Sequence, residues 1–185
     1  RLADRMAAAM GIPAIKVRVF EVEPVNGLAA PDGRIFLTRG FLNRKAQGEV
    51  TAEELASVIA HEMGHVAQGH MRRRMIDFTG QNAVFVMLSA LLNRFLPFIG
   101  IWIANLISTA LMARLSRRDE FEADAWASAL LIKAGIGTGP QKSLFRKLEA
   151  LTQNRAEGVP AWLLSHPHVE ERIAAIEANE ARWVG

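Results

Sequence analysis

The stretch TAEELASVIAHEMGHVA, residues 51–67, decides how the rest of the chain is read. Thr51 stands where its hydroxyl can accept from the backbone three residues on, and Glu54 stands where its carboxylate can reach back, the reciprocal pattern of a capping box. Leu55, Val58, Ile59 and Val66 then recur at helical spacing, so the segment predicts a helix with a buried stripe. Within it, His61-Glu62-Met63-Gly64-His65 is an HExxH motif. Histidines in this spacing lie one turn apart on one helix face, so both imidazoles can reach one zinc ion, and Glu62 is placed to take a proton from the attacking water. Ala60, Gly64 and Ala67 leave room around that face.

Two imidazoles leave a catalytic zinc one protein ligand short. The 185-residue chain has no cysteine, which removes thiolate ligands, disulfides, iron–sulfur clusters and a cysteine nucleophile. The third donor is then histidine, aspartate or glutamate. His70 lies well along the helix axis from His61 and reads as a surface or capping histidine. The better donor lies in SRRDEFEAD, residues 116–124, where Glu120 and Asp124 share a helical face and Glu122 points the other way. Glu120 is placed to ligate zinc, and Asp124 to hydrogen-bond a ligand or an active-site cation.

A further cluster, SHPHVEERI, spans residues 165–173. Peptide hydrolysis creates an oxyanion that needs a cationic or hydrogen-bonding partner. The chain has no tyrosine, so His166 and Arg172 are the candidates, one for the oxyanion and the other for Asp124 or substrate. His166 has an alternative role as a fourth zinc ligand that closes the site. His168, at a helix start, reads as structural.

Outward from the metal helix, Leu2, Met6, Ala9 and Met10 predict a short opening helix stopped by Gly11 and Pro13. Ile15, Val17 and Val19 alternate with basic residues, the period of a half-buried strand, and Arg34 to Thr38 predicts a second strand between turn signals. After Gly40 the chain reads as helical, with a break at Gly80, a helix over 120–133 ending at Gly135, Gly137 and Gly139, and helices over 141–154 and 169–182. The expected fold class is α+β: one mainly helical zincin-like domain over 1–185 with a small mixed β-sheet and an apolar helical hairpin inserted at about 83–113.

Half of the residues are hydrophobic, and 22 Lys+Arg against 19 Asp+Glu leave a net charge of +3. The clusters Arg72-Arg73-Arg74 and Arg114, Arg117, Arg118 read as a solvated face or a membrane-facing rim; no nucleic-acid-binding module accompanies them, so no nucleic acid partner is expected. The absence of cysteine leaves the redox compartment open. Starting at Arg1, the chain reads as a processed or trimmed end.

Residues 95–113 lack charge and approach the roughly 20 residues that cross a bilayer. A single crossing would put Glu120 on the wrong side of the membrane from His61 and His65, and two crossings need about 40 apolar residues. Asn93-Arg94 and Pro97 also interrupt the run. The stretch therefore predicts a hairpin that rests on or dips into a membrane or is buried against another subunit, with burial inside the domain as the plain alternative.

Together, HExxH at 61–65, SRxxExxAD at 116–124 and SHPxxxxRI at 165–173 resemble the gluzincin metallopeptidase family of the CAAX prenyl proteases and the HtpX-type and Oma-type membrane quality-control proteases. NGLAAPDGRIFLTRGFL, residues 26–42, resembles the family segment that forms a substrate-side edge strand. The resemblance implies a zinc-dependent endopeptidase with one Zn2+ per chain. His61, His65 and Glu120 would be its ligands and Glu62 its general base, with Asp124 assisting and a transition-state or substrate role near His166 and Arg172. A polypeptide substrate would add as a strand along Arg34, Ile35, Phe36 and Leu37. Membrane-protein or envelope quality control, at the bacterial periplasmic side or membrane-associated, is the expected setting. Two readings of other classes remain: a closed, non-catalytic zinc site on a chaperone-like or membrane-surface binding module, and a basic membrane-surface protein without metal.

Overall fold

The computed structural model describes residues 1–30, 32–96, 99–153, 160–166 and 168–184. Pro31, Pro97, Phe98, Asn154 and Pro167, which fall within segments read above, lie outside the described residues. The elements in order are α1 Leu2–Met10, β1 Val17–Phe20, β2 Gly27–Ala29, β3 Ile35–Thr38, α2 Arg39–Ala46, α3 Ala52–Ala67, α4 His70–Phe95, α5 Gly100–Lys133, α6 Gly139–Gln153, α7 Ala161–Ser165 and α8 Val169–Val184. The fold is mainly helical with one small mixed sheet, as expected. The chain divides into two compact units, one made of Arg1–Gln68 with Glu120–Gly185 and the other of Gly69–Asp119.

In the first unit the sheet order is β1-β3-β2, with β1 parallel and β2 antiparallel to β3. This corrects the expected edge strand. Arg34 precedes β3, and Ile35, Phe36 and Leu37 lie within it; β3 is hydrogen-bonded on both sides, so it offers no free edge to a peptide. Among the described residues the sheet edges belong to β1 and β2. The three-residue β2 escapes a periodicity reading because Asn26-Gly27 carries the signature of a turn. Thr38 locks the arrangement: its hydroxyl accepts from Asn26 N at 2.9 Å, donates to Asn26 O at 3.0 Å, and caps α2. The alternation expected for β1 fails beyond Val17, since an edge strand with one partner leaves Val19 and Phe20 exposed.

The core of this unit gathers Met6 from α1, Ile35 and Leu37 from β3, Phe41 from α2, and Leu55, Val58 and Ile59 from α3. Ala127 and Leu131, Leu144 and Phe145, Trp162, and Ile176 complete it from α5, α6, α7 and α8. Gly64 lets α3 and α5 touch through their backbones, because a Cβ there would sit 2.7 Å from the Ala123 carbonyl oxygen. A glycine inside a helix costs about 1 kcal/mol relative to alanine, and here it is the contact that excludes a side chain.

The capping box at the start of α3 is present in both directions: Glu54 N donates to Thr51 Oγ1 at 3.1 Å, and Thr51 N donates to Glu54 Oε2 at 2.8 Å. The same carboxylate also receives Ser143 Oγ at 2.7 Å and Lys147 Nζ at 2.9 Å, which tie α3 to α6. Burial by itself would raise the Glu54 pKa, but the Thr51 amide, Lys147 and Ser143 outweigh it and hold the carboxyl below its usual 4.5. A depressed folded-state pKa contributes stability that is present above the unfolded value and is lost as pH falls below it. Glu54→Gln is therefore expected to cost about 2 kcal/mol at pH 7 by urea denaturation, with the gap to wild type closing as the pH falls below the usual 4.5.

The second unit contains α4 and the first part of α5, through Asp119. Helix α3 ends at Ala67, and Gly69, at φ 66°, takes the left-handed conformation that separates it from α4. The break expected at Gly80 is thus found at Gly69, while α4 continues through Gly80, the modest penalty of one glycine being insufficient to end a long helix. His70 is correspondingly not a surface residue: it is buried at the start of α4, with Nε2 3.8 Å from Asp119 Oδ1, an oxygen that also receives Arg73 Nη1 at 3.3 Å.

The segment expected to form an apolar hairpin, about 83–113, falls in the latter part of α4 and the first part of α5. Val86, Met87, Leu91 and Phe95 on α4 and Ile101, Trp102, Leu106 and Leu111 on α5 are exposed, with Met87 at 73% and Trp102 at 74%, so plain burial within the domain does not hold. Among the described residues no helix is long and apolar enough to cross a membrane.

Candidate metal centre

Helix geometry puts His61 and His65 on one face of α3, and the equal spacing on α5 puts Glu120 and Asp124 on one face of that helix. The backbone contact at Gly64 and Ala123 sets those faces close together. His166 arrives as the C-cap of α7, its amide donating to Trp162 O at 2.8 Å. One ligand-capable atom from each of His61, His65, Glu120 and His166 falls within 4.8 Å of every other, and all four residues are buried.

His61 Nε2 lies 3.1 Å from His65 Nε2, 3.3 Å from His166 Nδ1 and 3.4 Å from Glu120 Oε2. Glu120 Oε1 is 3.5 Å from His65 Nε2, and its Oε2 is 2.7 Å from His166 Nδ1. On the far side of its ring, His61 Nδ1 meets Asp124 Oδ1 at 2.8 Å. A proton on Nδ1 donates to that carboxylate and leaves the Nε2 lone pair turned into the cluster. Several lone pairs converging at such distances suit a cation, and an imidazole and carboxylate set without sulfur suits zinc. The residues present therefore fit the metal that the HExxH motif implies.

Asp124 and Arg172 form the inner ion pair of the site. Arg172 Nε donates to Asp124 Oδ2 at 2.6 Å and Nη2 to Oδ1 at 2.8 Å, while Nη1 donates to His166 O at 2.9 Å. The guanidinium is fully buried and lies 4.5 Å from the Phe145 ring centre and 5.1 Å from that of Trp162. Of the two roles expected for Arg172, pairing with Asp124 is the contact the side chain makes, and His166 is the side chain that faces Glu62. Glu62 is 3% exposed, and its Oε1 makes no hydrogen bond and sits 3.4 Å from His166 Nε2. Glu122 stays out of this cluster. His168, at φ 66°, accepts from Arg172 N at 3.1 Å through its carbonyl and starts α8.

The electrostatics of these side chains follow from burial set against pairing. Burial would depress the His61 pKa, but the Asp124 charge and hydrogen bond push it up to about 9. Burial would raise Asp124, yet Arg172 and His61 hold it down to about 2. Burial is likewise overcome at Glu120, which His166 and His61 keep well below the usual carboxylate range. At Glu62 burial prevails over the attraction of His166 and His61, and its pKa is raised.

Two participants escape a reading of the sequence. Gln141 Nε2 donates to Asp124 Oδ1 at 3.3 Å, and Ser128 Oγ donates to Gln141 Oε1 at 2.9 Å. Ser128 continues the Glu120, Asp124 stripe by one more turn and was findable by its spacing, whereas Gln141 carries no local signal beyond its place near a helix start.

A helix-borne HExxH pair faced by a carboxylate from a later helix defines a gluzincin-type metallopeptidase. The profile of peptidase family M48 matches residues 1–180, and the chain belongs to that family. Metalloprotease LoiP of Escherichia coli (strain K12) is 30% identical over 165 residues, covering 87% of this chain and 64% of LoiP. A Protease HtpX homolog of Janthinobacterium sp. (strain Marseille) is 28% identical over 205 residues, covering 95% of this chain and 69% of the relative. Protease HtpX of Pseudomonas aeruginosa (strain LESB58) is 27% identical over 215 residues, with 95% and 70% covered. The chain thus spans about two thirds of the length of these relatives.

Proposed function

We propose that this chain is the catalytic domain of a zinc-dependent endopeptidase that cleaves polypeptides in bacterial envelope or membrane-protein quality control. The observation that carries the reading is the buried convergence of His61, His65 and Glu120 beside a Glu62 carboxylate with an oxygen left without a hydrogen bond. His61, His65 and Glu120 would hold one Zn2+ per chain, and bound zinc would supply Lewis acidity to the scissile carbonyl and the attacking water.

The remaining work falls to side chains. Glu62, its pKa raised by burial, takes a proton from the attacking water and delivers it to the leaving amine; a base poised nearer neutrality suits both duties. His166, with Nε2 facing Glu62, donates to the oxyanion as it forms. Asp124 fixes the His61 ring, and Arg172 holds Asp124 and the backbone of His166. An extended peptide would add at β2, the outer strand next to β3, because Gly27 places that strand close to the metal helix: a Cβ there would lie 2.6 Å from Val58 Cγ1 and 3.9 Å from Glu62 Cγ. The exposed apolar side chains of α4 and α5 form a surface that a membrane or another protein subunit would cover, in keeping with an envelope or membrane-associated location.

A second reading has its own observation. His166 Nδ1 already lies among the donor atoms, 2.7 Å from Glu120 Oε2, so the site can also close with His166 as a fourth ligand. Metal analysis with a casein digestion assay separates the readings. One zinc per chain, activity lost to a chelator and restored by equimolar zinc, supports the peptidase. Bound zinc without activity, relieved in His166→Ala, supports the closed form. Folded protein purified without chelator that carries no zinc overturns both.

A further inference from the structure

The metal-facing side of Asp124 is taken by His61, and its outer side by a side-chain pair with no part in the steps above. Asp124 and Ser128 lie one turn apart on α5, and Gln141 enters from the first turn of α6. The chain folds back between them through Gly135 and Gly137, both in the left-handed region. Ser128 and Gln141 are each 1% exposed. We propose that Ser128 and Gln141 are positioning residues of the metal centre, a relay that holds Asp124 in the orientation that aims the His61 lone pair at zinc. The inference rests on the metal-centre reading given above.

The argument is one of donor counting. Asp124 Oδ2 has Arg172 Nε, while Oδ1 must serve Arg172 Nη2, His61 Nδ1 and Gln141 Nε2. The guanidinium fork fixes the plane of the carboxylate from one side. Gln141 adds a contact from α6, the helix that the Glu54 pairs with Ser143 and Lys147 hold against α3. Its amide is usable in one orientation only: flipped, its oxygen would face the Asp124 carboxylate, acceptor against acceptor in a dry site. Ser128 donates to the amide oxygen and so favours the productive orientation. Such outer contacts act on metal affinity through the ligand they orient, and their loss weakens binding by about 10- to 100-fold.

The test is zinc affinity of the full chain, measured by competition with a chromophoric chelator, together with thermal melting of the metal-free protein and the visible spectrum of the cobalt-substituted one. Gln141→Met keeps the volume and removes both polar ends; it is expected to weaken zinc binding by about 10-fold and shift the cobalt bands. Ser128→Ala is expected to weaken binding in the same direction by about 3-fold, a fraction of the full effect because the amide itself remains. An unchanged affinity and cobalt spectrum in Gln141→Met overturns the relay, and if that variant does not fold, an unchanged affinity in Ser128→Ala does so. Loss of melting temperature in the metal-free protein without loss of zinc affinity also overturns it, assigning both residues to packing alone. Wild type that binds no zinc fails the metal reading itself, a result distinct from wild type that binds zinc as its variants do.

Discussion

Glu62→Gln is expected to lower kcat on an unfolded protein substrate by about a thousandfold while the variant keeps its fold and its zinc. The substitution is nearly isosteric, so the buried side chain still fills its place beside His166, 3.4 Å from Nε2. What disappears is the proton acceptor. A neutral amide can neither take the proton from the attacking water nor hand it to the leaving amine, and both transfers are assigned to this one group. The donors His61, His65 and Glu120 are untouched, so metal content measured on the same sample is expected to equal wild type. Activity within tenfold of wild type at full metal content would show that the proton leaves by another route.

The second large effect concerns stability. Arg172→Met is expected to cost about 3–5 kcal/mol in urea denaturation of the metal-free protein, because it leaves buried carboxylates without their cation. Arg172 is 0% exposed, forks onto Asp124 at 2.6 and 2.8 Å, and lies 3.5 Å from Glu120 Oε2. Arg172→Lys is not expected to rescue it, since an ammonium cannot span both Asp124 oxygens and keep the stack on Phe145 and Trp162. Removing both charges, in Arg172→Met with Asp124→Leu, should recover part of the loss, which distinguishes a stranded charge from lost packing. The pair also has a signed pH dependence. Asp124 is held down to about 2, so its stabilising contribution is full above the usual 3.8 and is lost as the pH falls through 2. A loss under 1 kcal/mol in Arg172→Met would mean that solvent or a side chain elsewhere neutralises Asp124.

The parts of this structure that were legible in the sequence are those set by neighbours along the chain. Thr51 and Glu54 announce the start of α3, and the spacings of His61 with His65 and Glu120 with Asp124 place each pair on one helix face. What needed the folded chain was pairing at a distance. The middle position of β3 depends on β2, a strand of three residues inside an apparent turn. The sequence names Arg172 and His166 as candidate partners of Asp124 without choosing between them, and it gives no sign of Gln141 from α6, which no periodicity connects to that carboxylate. The helix break falls at Gly69 instead of Gly80 for a related reason: the two glycines look alike as residues, and only backbone conformation shows which one turns the chain. The burial of His70 goes with it, since it follows from starting a new helix rather than extending the old one.

The unit that carries the donors is assembled from two separate lengths of chain, Arg1–Gln68 and Glu120–Gly185, with Gly69–Asp119, a compact unit of its own, as an excursion between them in sequence. The entropy of closing a flexible loop grows only with the logarithm of its length, about 0.6 kcal/mol for each doubling. A longer connection between α4 and α5 would therefore add little to the cost of bringing His61 and Glu120 together. Lengthening the connection between α4 and α5 by a few residues is expected to leave the zinc affinity of the donor set unchanged, which titration of such a variant checks. One zinc ion shared by His61, His65 and Glu120 would also act as a cross-link across that gap. A protease nick within the excursion should then leave the two lengths bound to each other, and chelation should loosen their grip.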